Sequence, residues 1–152
     1  MSFKQLTWGV KASFRGYVEA AGGTIKVSDG ASQNEEGAIV FAAIPGGDLN
    51  IAEDGTATGA MRFQGTVQFE AHGGMLNSTL ADLGVEAENG ELFITVLEAP
   101  MNEDRCAIAK LTLLDTNGDG SLNLKSEITM DGMYQIADNY PPGTELDPVI
   151  LT

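Results

Sequence analysis

The chain has 152 residues, of which 22 are acidic and 8 are basic, and its formal net charge at pH 7 is −14. A chain of this length can bury a sizeable core, and we expect residues 1–152 to form one domain. We do not expect so acidic a chain to bind nucleic acid or an anionic membrane surface, because both attract basic proteins. No run of about 20 apolar residues is present, so no membrane-inserted segment is expected.

The cysteine content and the opening residues bear on the compartment. The single cysteine, Cys106, excludes an internal disulfide, and its apolar neighbours favour a buried, unreactive thiol. The opening MSFKQLTWG lacks the apolar core of a signal peptide. On sequence alone, we therefore expect either a cytoplasmic protein or a mature form or excised domain.

A short amphipathic helix is predicted near residues 8–18. Four apolar side chains recur there at the spacing of one helical face: Val10, Phe14, Tyr17 and Val18. Thr7 is suited to cap the start of this helix, and Gly22 and Gly23 follow its end. A helix of about ten residues is unstable alone in water, so it must pack on an apolar surface.

Most of the remaining chain is predicted to form β-strands. The predicted strands are 24–28, 37–43, 60–72, 75–80, 91–98, 106–114, 121–128 and 149–152. Segment 60–72 alternates apolar and polar residues, which is typical of one long half-buried strand, whereas 37–43 is continuously apolar and predicts burial on both faces. A second short helix is predicted near 129–139, with Thr129 as its cap. We therefore expect an all-β fold, mainly an antiparallel β-sandwich, with two short helices.

One turn-forming segment resembles part of a calcium-binding loop. Asp115, Asn117 and Asp119 supply oxygen atoms at alternate positions and are followed by Gly120, as in the first half of such a loop. Ser126 stands where a bidentate glutamate would complete the site. The alternatives are a low-affinity calcium site and a metal-free turn that joins two strands.

Three separated segments carry a family resemblance. They are Leu6–Tyr17 (LTWGVKASFRGY), Gly65–Leu80 (GTVQFEAHGGMLNSTL) and Leu124–Thr152, which contains YPPGTELDPV. In content and order they resemble the HtaA domain, a haem-binding module of bacterial haem-uptake proteins. The resemblance implies a β-sandwich with short helices and a location at the cell surface or elsewhere outside the cytoplasm.

The resemblance also implies a haem site. Tyr17 matches the tyrosine that ligates the haem iron in this family, and His72, the only histidine, matches the residue that hydrogen-bonds the tyrosine oxygen. A phenolate is a hard anionic ligand that favours ferric iron, and an imidazole N–H would stabilise it and fix its position. Spacing alone, without the resemblance, favours a core aromatic for Tyr17 and a surface histidine beside a turn for His72.

Three further residues are candidates for the same site. Ser13 and Arg15 are candidates for contacting a haem propionate, although a solvated helix face explains Arg15 as well. Trp8 is either a wall of the haem pocket or a packing residue.

The functional hypothesis that follows is a ferric haem carrier or relay rather than an enzyme. Its partners would be haem and a protein that donates or accepts haem. The first alternative is a non-haem ligand-binding or adhesion module on the same scaffold, with calcium as a stabilising ion. The second is a haem enzyme of the peroxidase or oxygenase type, for which no further motif is present.

Overall fold

The computed structural model describes residues 3–97, 104–137 and 139–152, which form an all-β fold with two short helices. The helices are α1 (Ala12–Ala20) and α2 (Met130–Gln135). The strands are β1 (Gln5–Trp8), β2 (Thr24–Ser28), β3 (Ser32–Gln33), β4 (Ile39–Ile44), β5 (Asn50–Ile51), β6 (Ala57–Thr58), β7 (Ala60–Gln64), β8 (Thr66–Ala71), β9 (Leu76–Ala81), β10 (Gly84–Glu88), β11 (Glu91–Leu97), β12 (Arg105–Thr116), β13 (Leu122–Ile128) and β14 (Glu145–Leu151). Neither helix in these ranges is long and apolar enough to cross a membrane.

Eight of the strands close into a barrel. Their order is β1-β14-β13-β12-β11-β10-β7-β4, and β4 pairs with β1 to complete the ring. All eight pairings are antiparallel, as predicted. The prediction of a plain β-sandwich was wrong, because the main sheet closes on itself. Closure satisfies the backbone hydrogen-bonding groups that a sandwich would leave at its sheet edges.

The closing strand β1 lies where the first helix was predicted to begin. Leu6 pairs with Leu151 on one side and with Phe41 on the other. The helix α1 therefore starts only at Ala12, and Lys11, not Thr7, occupies its N-cap position without a side-chain capping bond. The second helix is shorter than predicted, but its cap is confirmed: the Gly132 N–H donates to Thr129 Oγ1 at 3.0 Å.

The barrel encloses most of a single buried apolar cluster. In β13 every second residue is buried, which is the pattern that a barrel wall requires. The largest fully buried side chains of the cluster are Trp8, Phe14, Phe41, Phe63 and Phe69. In β4 only alternate residues are fully buried, so the expectation that this strand is buried on both faces was wrong.

A second, three-stranded sheet lies beside the barrel and supports α1. Its order is β2-β8-β9, with both pairings antiparallel. Phe14 and Val18 of α1 are buried, and the Phe14 ring lies edge-on to Phe69 of β8 with centroids 4.9 Å apart. This confirms that the short helix packs on an apolar β-sheet.

The predicted long strand 60–72 is in fact two strands that belong to different sheets. β7 lies in the barrel and β8 lies in the three-stranded sheet, with Gly65 between them at a φ of 134°. A Cβ at this position would lie 2.6 Å from the Cβ of Ala31. Only glycine fits this crossing point, since it tolerates both the positive φ and the close approach.

The other predicted strands are found with shifted ends. The segment 24–28 forms β2 with the predicted bounds, and 75–80, 106–114 and 121–128 correspond to β9, β12 and β13. The last predicted strand, 149–152, begins earlier, at Glu145. The strand predicted for 91–98 is present as β11, and its expected last residue, Glu98, lies outside the described residues. β10 was not predicted.

Candidate functional site

Tyr17 and His72 are in direct contact at the surface. The Tyr17 hydroxyl lies 2.6 Å from Nε2 of His72, and the two ring centroids are 5.6 Å apart. Tyr17 is 48% exposed, although Phe14 and Val18 on the same helix are buried. A short, solvent-accessible hydroxyl–imidazole hydrogen bond is therefore present between the two residues that the sequence singled out.

His72 lies in a tight turn. The sequence prediction had placed it at the end of the strand 60–72. His72 begins the 3-10 turn His72–Gly74 between β8 and β9, and its φ is 54°. Gly73 and Gly74 follow with φ values of 66° and 96°. A non-glycine residue rarely adopts positive φ, so the turn holds the imidazole in a conformation that the surrounding structure must stabilise.

The α1–β2 connection brings this turn close to α1. Gly23 packs so closely on β8 that a Cβ there would lie 2.1 Å from the carbonyl oxygen of Glu70. The Gly23 N–H also donates to the carbonyl of Val18 at 2.8 Å, which ends the helix. This close packing sets the short distance between the Tyr17 and His72 side chains.

A cleft of about 500 Å³ with a mixed apolar and polar lining opens beside Tyr17. Its lining residues come from α1, from the start of β9 and from α2 with the residues after it: Tyr17, Met75, Leu76, Asn77, Met133, Tyr134, Ile136, Ala137 and Asn139. This volume is within the range of about 300–1,000 Å³ that is typical of small-molecule sites. Sequence analysis did not single out these residues, apart from Tyr17, because only the tertiary structure brings α2 and the start of β9 beside Tyr17.

A polar group lies one helical turn before Tyr17. Ser13 Oγ is 3.5 Å from the Tyr140 hydroxyl, and Lys11 Nζ lies 5.8 Å from the centroid of the Tyr140 ring. Lys11 also donates to the carbonyl of Glu145 at 2.8 Å. Ser13 is thus on the Tyr17 side of α1, but it is not among the residues that line the cleft.

Arg15 is fully engaged elsewhere. Its guanidinium donates to Asp147 Oδ2 at 2.7 Å and to the carbonyl of Gly9 at 2.6 Å, and its side chain is only 14% exposed. The structure therefore places Arg15 in an ion pair that attaches α1 to β14. It is neither a solvated helix-face residue nor a lining residue of the cleft.

Trp8 is a packing residue. It is 1% exposed, and its indole N–H lies 3.0 Å from the carbonyl of Asp147 and 3.3 Å from Ser126 Oγ. It does not line the cleft beside Tyr17.

The calcium-like segment forms the turn between β12 and β13. Asn117 Nδ2 donates to Ser121 Oγ at 2.8 Å, and the Ser121 N–H and hydroxyl both donate to Asp119. These bonds lower the pKa of the Asp119 carboxyl. Within residues 3–97, 104–137 and 139–152, no group of three His, Cys, Asp or Glu residues is arranged to hold a metal ion. Asn117 and Asp119 are thus joined through Ser121 within this turn, and calcium binding by Asp115, Asn117 and Asp119 stays a prediction.

Comparison with known proteins identifies the family. The model of the HtaA family, which is described as Htaa, matches residues 4–152 of this chain. The chain belongs to the HtaA family. No curated protein matches it at a significant level.

Solved structures from Corynebacterium glutamicum have the same fold. The C-terminal domain of HtaA is 25% identical with a TM-score of 0.77, and the match covers 98% of this chain and 95% of that domain. The N-terminal domain of HtaA is 24% identical with a TM-score of 0.77, over 99% of this chain and 97% of that one. The haem-binding protein HtaB is 16% identical with a TM-score of 0.72, over 98% and 91%. The latter two likenesses concern the fold alone.

Proposed function

We propose that this HtaA-family protein binds ferric haem, with the Tyr17 oxygen as axial iron ligand and His72 as the hydrogen-bond donor to that oxygen. The observation that carries the proposal is the 2.6 Å contact between the Tyr17 hydroxyl and His72 Nε2 beside a cleft of about 500 Å³. Membership of the HtaA family, for which the resemblance implies a haem site, supports it.

The chemistry of the pair suits a phenolate ligand. Ferric iron supplies a Lewis acid that favours the deprotonated oxygen, and tyrosine is a known haem ligand. Nε2 of His72 is within hydrogen-bond distance of that oxygen, so a proton on Nε2 would be donated to the phenolate. Such a donor both stabilises the anionic ligand and fixes the orientation of its ring.

The residues around the pair suit the rest of the haem molecule. The cleft offers methionine, leucine and isoleucine side chains to the apolar porphyrin. The Ser13 hydroxyl, one helical turn before Tyr17, lies near the Tyr140 hydroxyl, and the Lys11 ammonium lies over the Tyr140 ring. These groups would hold a propionate. Lys11 takes the role first considered for Arg15, because the guanidinium of Arg15 is occupied by Asp147.

We extend the proposal to a carrier or relay that receives haem from one protein and passes it to another, outside the cytoplasm. The cleft is open, and its walls expose Tyr17, Met75 and Tyr134 to solvent. An open site suits transfer of an intact ligand between proteins, whereas haem catalysis would require the ligand to be enclosed with a reactant.

A haemin titration followed by visible absorbance tests the proposal. We expect the wild type to show the charge-transfer bands of a ferric phenolate complex. Tyr17→Phe removes only the oxygen and should abolish these bands, whereas the matched control Tyr134→Phe, which removes a hydroxyl from the same cleft, should keep them. His72→Ala should weaken binding about 10- to 100-fold, as is typical when a residue supporting a metal ligand is lost.

The oligomeric state must be checked for the histidine variant. A histidine-to-alanine variant of the C-terminal domain of HtaA from C. glutamicum is a domain-swapped dimer; it is 25% identical to this chain with a TM-score of 0.66. Size-exclusion chromatography of His72→Ala therefore accompanies the titration. If Tyr17→Phe bound haemin with the wild-type spectrum, the ligand assignment would be overturned.

A further inference from the structure

The α2 wall of the cleft stands apart from the Tyr17–His72 pair and supplies much of the lining. Met133, Tyr134, Ile136 and Ala137 line the cleft from this side, and Met75 and Leu76 line it from the turn and the start of β9. The cleft thus lies between α2 on one side and the turn with the start of β9 on the other. Tyr17 of α1 adds to its lining.

The base of the α2 wall is fixed to the barrel. Gly132 is buried so closely against β12 that a Cβ there would lie 2.1 Å from the carbonyl oxygen of Ile108. Ile136 is 4% exposed and packs in the core cluster. Ser78 of β9 donates to the carbonyl of Gln135 at 2.5 Å, so a hydrogen bond joins the two walls below the cleft. The separation of the walls is therefore set before any ligand arrives.

Above this base, both walls carry large apolar side chains that are open to solvent. Tyr134 is 72% exposed and Met75 is 91% exposed. Six large hydrophobic side chains are exposed in the described part of the chain, and three of them line this one cleft, namely Tyr17, Met75 and Tyr134. Such clustering of exposed apolar groups marks a surface that is covered when a ligand binds.

We propose that Tyr134 retains the bound haem by covering the porphyrin with its ring, and that it sets the rate of haem release without ligating iron. Met75 contributes from the β9 wall. An aromatic ring supplies a large apolar area with few rotatable bonds, which makes it effective against a flat aromatic ligand. The inference depends on the proposed haem binding, and it separates two tasks: Tyr17 and His72 determine ligation, and Tyr134 determines residence time.

Transfer of haem to an excess of apomyoglobin tests this division. Each protein is loaded with haemin, mixed with the acceptor and followed by absorbance. We expect Tyr134→Ala to release haem about tenfold faster, which corresponds to about 1.4 kcal/mol. Tyr134→Phe keeps the ring and should release within about twofold of the wild-type rate.

Three further measurements make the result specific. Met130→Ala is the matched control, because Met130 lies on the same helix and is 60% exposed but does not line the cleft; its release rate should equal that of the wild type. The ferric phenolate spectrum should be the same in Tyr134→Ala and the wild type, and Met75→Ala should also release haem faster.

The possible failures can be told apart. A wild-type release rate in Tyr134→Ala, with an intact spectrum, overturns the retention role and leaves haem binding by Tyr17 standing. A changed spectrum in Tyr134→Ala overturns the separation of ligation from retention. Failure of the wild type to bind haemin overturns the proposed function itself.

Discussion

Tyr17 owes its availability to its position on α1. Phe14 and Val18 are one turn apart and point into the core, whereas Tyr17 is about 100° around the helix from Val18. Its ring therefore lies at the edge of the buried stripe, where one side packs and the hydroxyl reaches His72. A tyrosine at either buried position would have its oxygen enclosed in the core, and one on the opposite face could not reach the 72–74 turn.

Asp147 is the residue that attaches the first helix to the barrel. Its carboxylate accepts hydrogen bonds from the Ala12 N–H at 3.0 Å and from Arg15 at 2.7 Å. Its carbonyl oxygen lies 3.0 Å from the Trp8 indole nitrogen and accepts a hydrogen bond from Ser126 at 2.6 Å. One residue of β14 thus fixes both the start of α1 and the buried indole of β1, and through them the orientation of Tyr17.

The role of Trp8 can be tested by removing its donor group. In Trp8→Phe the carbonyl of Asp147 keeps its bond from Ser126, so no acceptor is left without a partner. We expect a loss of about 1–3 kcal/mol in the free energy of unfolding, from the lost hydrogen bond and the smaller ring. Urea denaturation measures this loss. The haemin spectrum should not change, and a spectral change at unaltered stability would instead make Trp8 a wall of the pocket.

The junction between β7 and β8 shows why an alternating pattern does not define a single strand. Apolar residues continue on the odd positions from Met61 to Ala71, because both strands bury one face, yet the strands belong to different sheets. Only Gly65 interrupts the pattern. The sequence predicted that the segment is extended, but the change of sheet depends on contacts with Ala31 and Phe41, which are distant in the chain.

Substitution of Gly65 measures how much the junction contributes. Gly65→Ala places a methyl group 2.6 Å from the Ala31 Cβ and 2.9 Å from the Phe41 ring at a φ of 134°. We expect a loss of about 2–4 kcal/mol from overpacking and backbone strain together. Gly46→Ala is the matched control, since Gly46 also has a positive φ but no atom lies within 4 Å of the added Cβ. It should cost about 1 kcal/mol, and equal urea midpoints for the two variants would show that the contact contributes nothing.

At the scale of the whole molecule, local patterns identified most elements but not how the sheet closes. The all-β class, both helices and the pairing of Tyr17 with His72 followed from spacing or from the family resemblance. The barrel did not, because β1 is a four-residue strand whose pairing with both β4 and β14 is decided by residues at the two ends of the chain. The α2 wall of the cleft was missed for a related reason: only the tertiary structure brings α2 beside Tyr17 and shows that Tyr134 is exposed.

The net charge of −14 should make the stability of the whole molecule depend on salt concentration, which can be tested directly. Excess charge of one sign destabilises a compact state through self-repulsion, whereas salt also weakens favourable ion pairs. The partly buried pairs of Arg15 with Asp147 and of Arg105 with Glu86 are the least screened, and the exposed pair of Lys110 with Glu91 contributes little. Repulsion should therefore dominate the salt response.

We accordingly expect the melting temperature to rise with salt. Raising NaCl from about 10 mM to about 500 mM shortens the screening length several-fold. A gain of about 1 kcal/mol would raise the melting temperature of a protein of this size by about 2–4 °C. KCl should act equally, which separates screening from specific ion binding.

Glu35→Gln combined with Glu36→Gln removes two exposed charges from one loop and should raise the low-salt melting temperature while reducing the response to salt. A melting temperature that fell with salt would show that ion pairs, and not self-repulsion, dominate the electrostatics of the fold.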